Sequence, residues 1–271
     1  MIPIIYPYKV TSQSARTIRN FLKERSYETK LVYPDGNYHP KPNHFLIDWG
    51  NSTIPDWELD KVGNLLNHPC YIGGAVNKID TFIKLKEVGV ITPIYTTSPR
   101  EAYQWLKQGK KIISRSTVTG HSGQGIEIIT EEEELTSVPL YTQLIHPKRE
   151  FRVYVFKGEV FEIREKIKVE EREPDYYHPQ GLRSYVFSHV NGYRFRQVSH
   201  RYWDNRKYLT MREESIKSIA ALGLDFGAVD VIYAIDQDKV YILEVNTAFG
   251  MEWTKTVEKF GNLLVSEIEK E

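Results

Sequence analysis

Two carboxylates and an amide near the C-terminus have the types and spacing that most directly suggest chemistry. Val229-Asp230-Val231-Ile232-Tyr233, a turn at Asp236-Gln237-Asp238, and Tyr241-Ile242-Leu243-Glu244-Val245-Asn246 read as two apolar strands, each with one acid. The second adds an amide two residues after its acid. A side-chain period of two puts Glu244 and Asn246 on one strand face, and an antiparallel partner brings Asp230 beside them. Oxygen-only donors of this kind suit Mg²⁺, which takes one or two carboxylates and completes its octahedron with phosphate oxygens and water. The competing reading is three polar residues on the solvent side of a half-exposed sheet.

Two further features have the chemistry of anion binding. Thr119-Gly120-His121-Ser122-Gly123-Gln124-Gly125 is a glycine loop between two strands, and glycine lets backbone N–H groups fold closely over phosphate oxygens. It matches neither a P-loop nor a dinucleotide fingerprint, and a plain hairpin turn reads equally well. Arg152 sits in an apolar strand, and Arg164, Lys166 and Lys168 alternate on one face of the next. Such a row of cations calls for a compensating anion such as a polyphosphate, or is a solvated face balanced by Glu162 and Glu165. Between Arg183 and Arg212, seven Lys and Arg residues stand against Asp204 alone, with Tyr185, Phe187, Tyr193, Phe195, Tyr202, Trp203 and Tyr208 between them. That stretch reads either as a patch for a carboxylate substrate, a peptide or a nucleic-acid strand, or as ordinary strands with snorkelling arginines. The eight histidines show no metal-ligand spacing, and only His121, inside the glycine loop, invites mutation.

The elements that must position these groups follow from hydrophobic periodicity. Ile2 to Tyr8, Lys30 to Tyr33 and His44 to Trp49 read as strands, and Ala15 to Arg25 as a helix, so the first ~75 residues form a small α/β lobe. Helices follow at 77–88 and 98–108, with strands at 111–114, 126–129 and 140–145. Hairpins are expected at 151–167, around Lys157-Gly158, and at 228–245. Helices at 212–222 and 253–269 complete the pattern. The 271 residues carry 36 basic and 36 acidic side chains, so bulk attraction to nucleic acid or to an acidic membrane is not expected. Cys70, the single cysteine, excludes an internal disulfide framework and is expected as a small buried residue. The start, MIPIIYPYKV, lacks a signal-peptide pattern, and no window approaches the ~18 apolar residues of a membrane helix. A cytoplasmic protein is expected.

Taken in chain order, these segments become specific. Asn77-Lys78 with its helix and Gly89-Val90-Ile91-Thr92-Pro93, then Ile112-Ile113-Ser114-Arg115, the glycine loop, a strand around Gln143, Arg152 in a strand, and Asp230 followed by Glu244-x-Asn246 resemble the ATP-grasp superfamily. That family includes D-alanine:D-alanine ligase, glutathione synthetase and the ligases that add glutamate to a ribosomal protein. The resemblance covers roughly residues 68 to 260. It implies an α+β protein with the ATP-grasp fold, two α+β lobes clamping the nucleotide after a short α/β N-terminal lobe. The corresponding divisions are 1–75, 76–145 for the small lobe with the glycine loop, and 146–271 for the large lobe with the metal site.

The same resemblance assigns roles. Asp230, Glu244 and Asn246 hold two Mg²⁺ ions, with Mn²⁺ as the alternative metal, and Lys78, Arg115, Arg152 and Lys166 face phosphates of ATP. Gly120, His121, Ser122, Gly123 and Gly125 close over the γ-phosphate. The strand Tyr141 to Ile145, with Gln143 and Ile145, presents backbone groups to adenine. Arg152, with Arg183 or Arg194 toward an acyl phosphate, makes up the catalytic set. The implied reaction activates a carboxylate with ATP as an acyl phosphate and passes it to an amine carried by a small molecule, a peptide or a protein. Two departures stand out: Arg115 replaces the usual lysine before the glycine loop, and Thr247-Ala248-Phe249-Gly250 replaces the usual Pro-Gly after the amide. A kinase passing the γ-phosphate to a hydroxyl is a second reading. A non-catalytic nucleotide- or nucleic-acid-binding module is a third, disfavoured by the three retained metal-type residues and the balanced charge.

Overall fold

The apolar N-terminal run forms β1 (Ile2–Pro7), and Ser12, whose hydroxyl accepts from the Ala15 N–H, caps α1 (Gln13–Lys23). In this computed structural model the described residues are 1–33, 38–54, 59–119, 125–169, 185–187, 191–251 and 253–270. β2 (Lys30–Leu31), β3 (His44–Trp49) and β4 (Asn64–Leu66) join β1 in a parallel sheet of order β2-β1-β3-β4. Two helices follow, α2 (Pro69–Val76) and α3 (Lys78–Glu87). The Asn77 side chain caps α3 by accepting from the amides of Ile79 and Asp80.

The middle of the chain builds a small antiparallel layer. β5 (Tyr95–Thr96), α4 (Pro99–Lys107), β6 (Ile112–Arg115), β7 (Ile126–Ile129) and β8 (Leu140–Gln143) give the order β5-β8-β6-β7. Ala102, Trp105 and Leu106 of α4 pack on Ile112, Ile129 and Tyr141. The large sheet comprises β9 (Lys148–Phe156), β10 (Glu159–Lys168), β11 (Tyr193–Gln197), β12 (Phe226–Ala234) and β13 (Lys239–Asn246), in the order β11-β10-β9-β12-β13. α5 (Arg206–Ala221) precedes β12, and α6 (Thr254–Ile268) closes the chain.

Alternation along these strands decides which face does what. On one face Phe151, Val153, Val229 and Val231 meet Tyr208, Met211 and Ile219 of α5, with Ile72 and Ala75 of α2 and Leu85 of α3 in the same core. On the other face the end bearing Tyr154, Phe156 and Phe226 is sealed by Trp49 and by Phe249 and Phe260, while the opposite end carries Glu150, Arg152, Lys166 and Asp230. Burial of the apolar half holds the charged half in place. Asn67, fully buried at φ 59°, ties β4 to β12: its N–H donates to Asp225 Oδ2, its Oδ1 accepts from the N–H groups of Asp225 and Phe226, and its Nδ2 donates to the Phe226 carbonyl.

Several expectations change. α5 begins at Arg206, six residues before the expected Arg212, because Tyr208 and Met211 already point into the core. β11 falls inside the 183–212 stretch, where ordinary strands are one of the two readings. α2 was hidden by Gly73-Gly74 and Pro69, yet Pro69 suits the first helical turn and His68 caps it. Cys70 is exposed, not buried, because Pro69, Ile72 and Ala75 take the core face of α2.

Asp48 is an unusual core residue. It is 0% exposed at the end of β3; its Oδ1 accepts from the Asn51 N–H at 2.8 Å and its Oδ2 has no partner. Burial pushes the carboxyl up to about 8, against the pull of the Asn51 and Gly50 N–H groups. Unfolded, it titrates near ~3.9. Between those values the folded chain keeps a proton that the unfolded chain has lost, so stability falls as pH rises from about 4 to about 8. Asp48→Asn is expected to remove that slope. In urea unfolding the variant's gain over wild type should be about 3 kcal/mol larger at pH ~9 than at pH ~6. An equal difference at both pH values would refute a buried acid.

Candidate functional site

Between the small sheet and the charged end of the large sheet lies a cavity of about 360 Å³. Its apolar lining includes Phe82, Pro93, Ile113, Ile145, Ile232 and Leu243, of which Ile145, Ile232 and Leu243 pack together. The rest is charged: Lys78, Arg115, Lys148, Arg152, Lys166 and Arg194 stand against Glu150, Asp230 and Glu244. That excess of three positive charges in a partly enclosed site calls for a polyanion.

The register explains how distant residues meet. Asp230 lies opposite Glu244 across β12 and β13 and opposite Arg152 across β12 and β9, while Lys166 lies opposite Glu150. Arg152 grips the Asp230 carboxylate with two prongs, Nε to Oδ1 at 2.6 Å and Nη2 to Oδ2 at 2.9 Å. Lys166 Nζ is 3.5 Å from Oδ2 and 3.1 Å from Glu150 Oε2, and Lys148 holds Glu150 Oε1 at 2.6 Å. Lys78, at the start of α3, pairs with Glu244 Oε2 at 3.0 Å. Asn246 Nδ2 donates to Glu244 Oε1 and to the Ala228 carbonyl, both at 3.4 Å.

Asp230 is only 4% exposed, which removes the reading of a solvent-facing trio. Burial by itself would raise its carboxyl, yet the charges and hydrogen bonds of Arg152 and Lys166 hold it well below the usual carboxylate range. In turn, burial would lower Arg152 and Lys166, but Asp230 keeps both above their ordinary values. For Arg115 burial wins and pushes the guanidinium down, with Glu244 and Glu150 pulling against it. Its buried Nε has no partner, a donor left over for an incoming anion.

The donors fit the groups that the fold implies. Asp230, Glu244 and Asn246 offer only hard oxygens toward one region, the ligand chemistry of Mg²⁺, and the orphaned Arg115 donor beside Lys78, Arg152 and Lys166 suits phosphate. Gly125, at φ +68°, sits where a Cβ would strike Ser116 Oγ, and its carbonyl accepts from the Ser116 N–H at 2.9 Å. The Lys78 N–H donates to the Val118 carbonyl, tying α3 to the entry of that loop. Gly120, His121, Ser122, Gly123 and Arg183 lie outside the described residues.

Other expectations meet the geometry less well. The N–H groups of Gln143 and Leu144 are taken by the carbonyls of Ile94 and Lys111, which leaves neither to adenine, although Gln143 and Ile145 both line the cavity. Of the cation row on β10 only Lys166 lines it. Arg164 is buried behind, bound to Glu162 at 3.0 Å and to Thr256 at 2.9 Å, and Lys168 is exposed. Sequence reading missed Lys148, Glu150 and Trp253 as lining residues. Glu150 was within reach, since it shares a strand face with Arg152 two positions on.

No family model and no curated protein matches the chain. Solved structures do. PsnB, an ATP-grasp ligase complexed with minimal precursor, Mg and ADP, matches at TM-score 0.69 and 13% identity, over 98% of this chain and 97% of that one. The macrocyclase MdnC bound with precursor peptide MdnA from Microcystis aeruginosa MRC matches at 0.65 and 12%, over 98% and 99%. A D-alanine–D-alanine ligase from Bacillus anthracis matches at 0.68 and 14%, over 100% and 95%. The chain has the ATP-grasp fold, of α+β class.

Proposed function

We propose that the protein is an ATP- and Mg²⁺-dependent ligase that activates a carboxylate as an acyl phosphate and joins it to an amine. The observation that carries this reading is the convergence, in one cavity, of surplus cations, a hard-oxygen trio and an apolar lining. The apolar lining takes an adenine-sized ring. Lys78, Arg115, Arg152 and Lys166 take phosphate charge, and Asp230, Glu244 and Asn246 hold the metal. When bound, Mg²⁺ neutralises charge on the transferring phosphoryl group. The chain's own cations do the same from fixed positions that need no reorganisation as the transfer proceeds. The likeness to peptide-bound PsnB and MdnC supports a peptide or protein as one co-substrate. Among the described residues no helix is long and apolar enough to cross a membrane, and a cytoplasmic location is part of the proposal.

The deciding experiment follows ADP and phosphate with Mg²⁺ across a panel of amino acids, small peptides and polyols. A ligase yields ADP and free phosphate only when both a carboxylate and an amine are supplied. ADP with a phosphorylated product would make the protein a kinase; tight ATP binding without turnover on this panel would point to a macromolecular acceptor outside it, and the same result with peptide and protein acceptors added would overturn the ligase reading in favour of a nucleotide-binding module.

A further inference from the structure

Strand alternation splits the basic, aromatic stretch that reads in sequence as one anion-binding patch. On β11, Phe195 lies opposite Lys166 and Tyr193 opposite Lys168, on the cavity face; Arg196 lies opposite Glu165 and Arg194 opposite Ile167. Arg196 Nη2 is bound to Glu165 Oε2 at 3.2 Å, and Glu165 also holds Arg149 at 2.5 Å, so Arg196 is committed to the far face. Arg194, at the cavity rim, donates through Nη1 to the Tyr193 carbonyl at 2.9 Å. Beyond the phosphate cations the cavity therefore meets rings.

Those rings come from two places. Phe195 supplies one, with Arg152 at 4.8 Å and Lys166 at 5.6 Å from its centroid. The chain just past the departure from the usual Pro-Gly supplies Trp253; Phe249, within that departure, is 1% exposed and its ring packs into the core against Trp49, Tyr154, Phe226 and Phe260. Trp253 meets Phe195 edge to face at 5.6 Å and 81°. Arg164 lies 4.0 Å from the Trp253 ring centroid, and that guanidinium is already held by Glu162 and Thr256. Arg152 and Lys166 behind Phe195 are engaged by Asp230 and, on the ligase reading, by the phosphates of the nucleotide. An apolar group placed against the rings therefore gains burial and ring contact without competing for those cations.

We propose that Phe195 and Trp253 form the walls of a specificity pocket for an apolar side chain, aromatic or branched aliphatic, carried by the substrate next to its reacting group. The proposal rests on the ligase reading for the meaning of that group. It assigns the substrate's flanking chemistry, which the composition of residues 183–212 would have made anionic.

The test is calorimetric titration of the protein, in Mg·ADP, with the dipeptides Leu-Phe, Asp-Glu and Lys-Arg. Leu-Phe is expected to bind about tenfold more tightly than either charged dipeptide, the worth of roughly one buried ring contact. Trp253→Ala and Phe195→Ala should each collapse that preference to about twofold, Trp253→Phe should restore most of it, and Arg196→Gln should leave it unchanged. Equal or tighter binding of Asp-Glu, no dipeptide binding at all, or a preference that survives both alanine variants would overturn the pocket. Mg·ADP binding, titrated alone, separates this failure from that of the nucleotide reading, which falls if wild type does not bind it.

Discussion

Glu244→Gln is expected to lower substrate-dependent ADP formation by about a thousandfold, equivalent to about 4 kcal/mol, with a melting temperature close to that of wild type. Glu244 lies on the edge strand β13 and its side chain is 26% exposed, so few packing contacts depend on it. The amide keeps the volume and an oxygen for Lys78. It loses the charge, which is what a divalent metal needs from a site with only two carboxylates in the trio. The same logic makes Asp230→Asn a poorer probe. That substitution removes the counter-charge of the largely buried Arg152, while Lys166 keeps Glu150, and stranding Arg152 is expected to cost about 3–5 kcal/mol of stability. Turnover assays beside thermal melts separate the two effects. A Glu244→Gln protein that turns over ATP at the wild-type rate would remove the carboxylate from the metal site, whereas partial recovery at raised Mg²⁺ would strengthen the assignment.

What could be read from the residues alone followed physical range. The β12–β13 hairpin was legible because two apolar runs flank a polar turn and a period of two is unambiguous, and from it followed the meeting of Asp230, Glu244 and Asn246. Helical periodicity made α1 and α4 legible in the same way. The arrangement of the cations was not legible, because it depends on how β9, β10 and β12 stack in register. No short-range signal says that Arg152 will face Asp230 or that Glu150 will bridge Lys148 and Lys166. The short strand β4 was missed for the complementary reason. Its residues are only partly apolar, and tertiary pairing, not propensity, makes it a strand. Asp48 lies at the far limit: its strand was evident, but its complete burial depends on chain packed over the parallel sheet.

Arg152→Met is expected to let nucleotide-free protein bind Mn²⁺ about tenfold more tightly than wild type does, while ATP turnover falls. In the structure each carboxylate of the metal trio already has a cation of its own: Asp230 has Arg152 and Lys166, and Glu244 has Lys78. A metal ion approaching without nucleotide must displace a two-pronged, largely desolvated pair, among the strongest ion-pair geometries available to a carboxylate. On the proposed reading phosphate changes the balance, because it would offer Arg152 and Lys166 other oxygens and free Asp230 for the metal. Wild-type protein should therefore take up Mn²⁺ weakly alone and tightly with ADP, whereas Arg152→Met should narrow that gap from the nucleotide-free side. Electron paramagnetic resonance of free Mn²⁺ reads both quantities without any turnover. Wild-type Mn²⁺ affinity that is the same with and without ADP would show that Arg152 does not guard the site, and that its grip on Asp230 yields to a metal as readily as to phosphate.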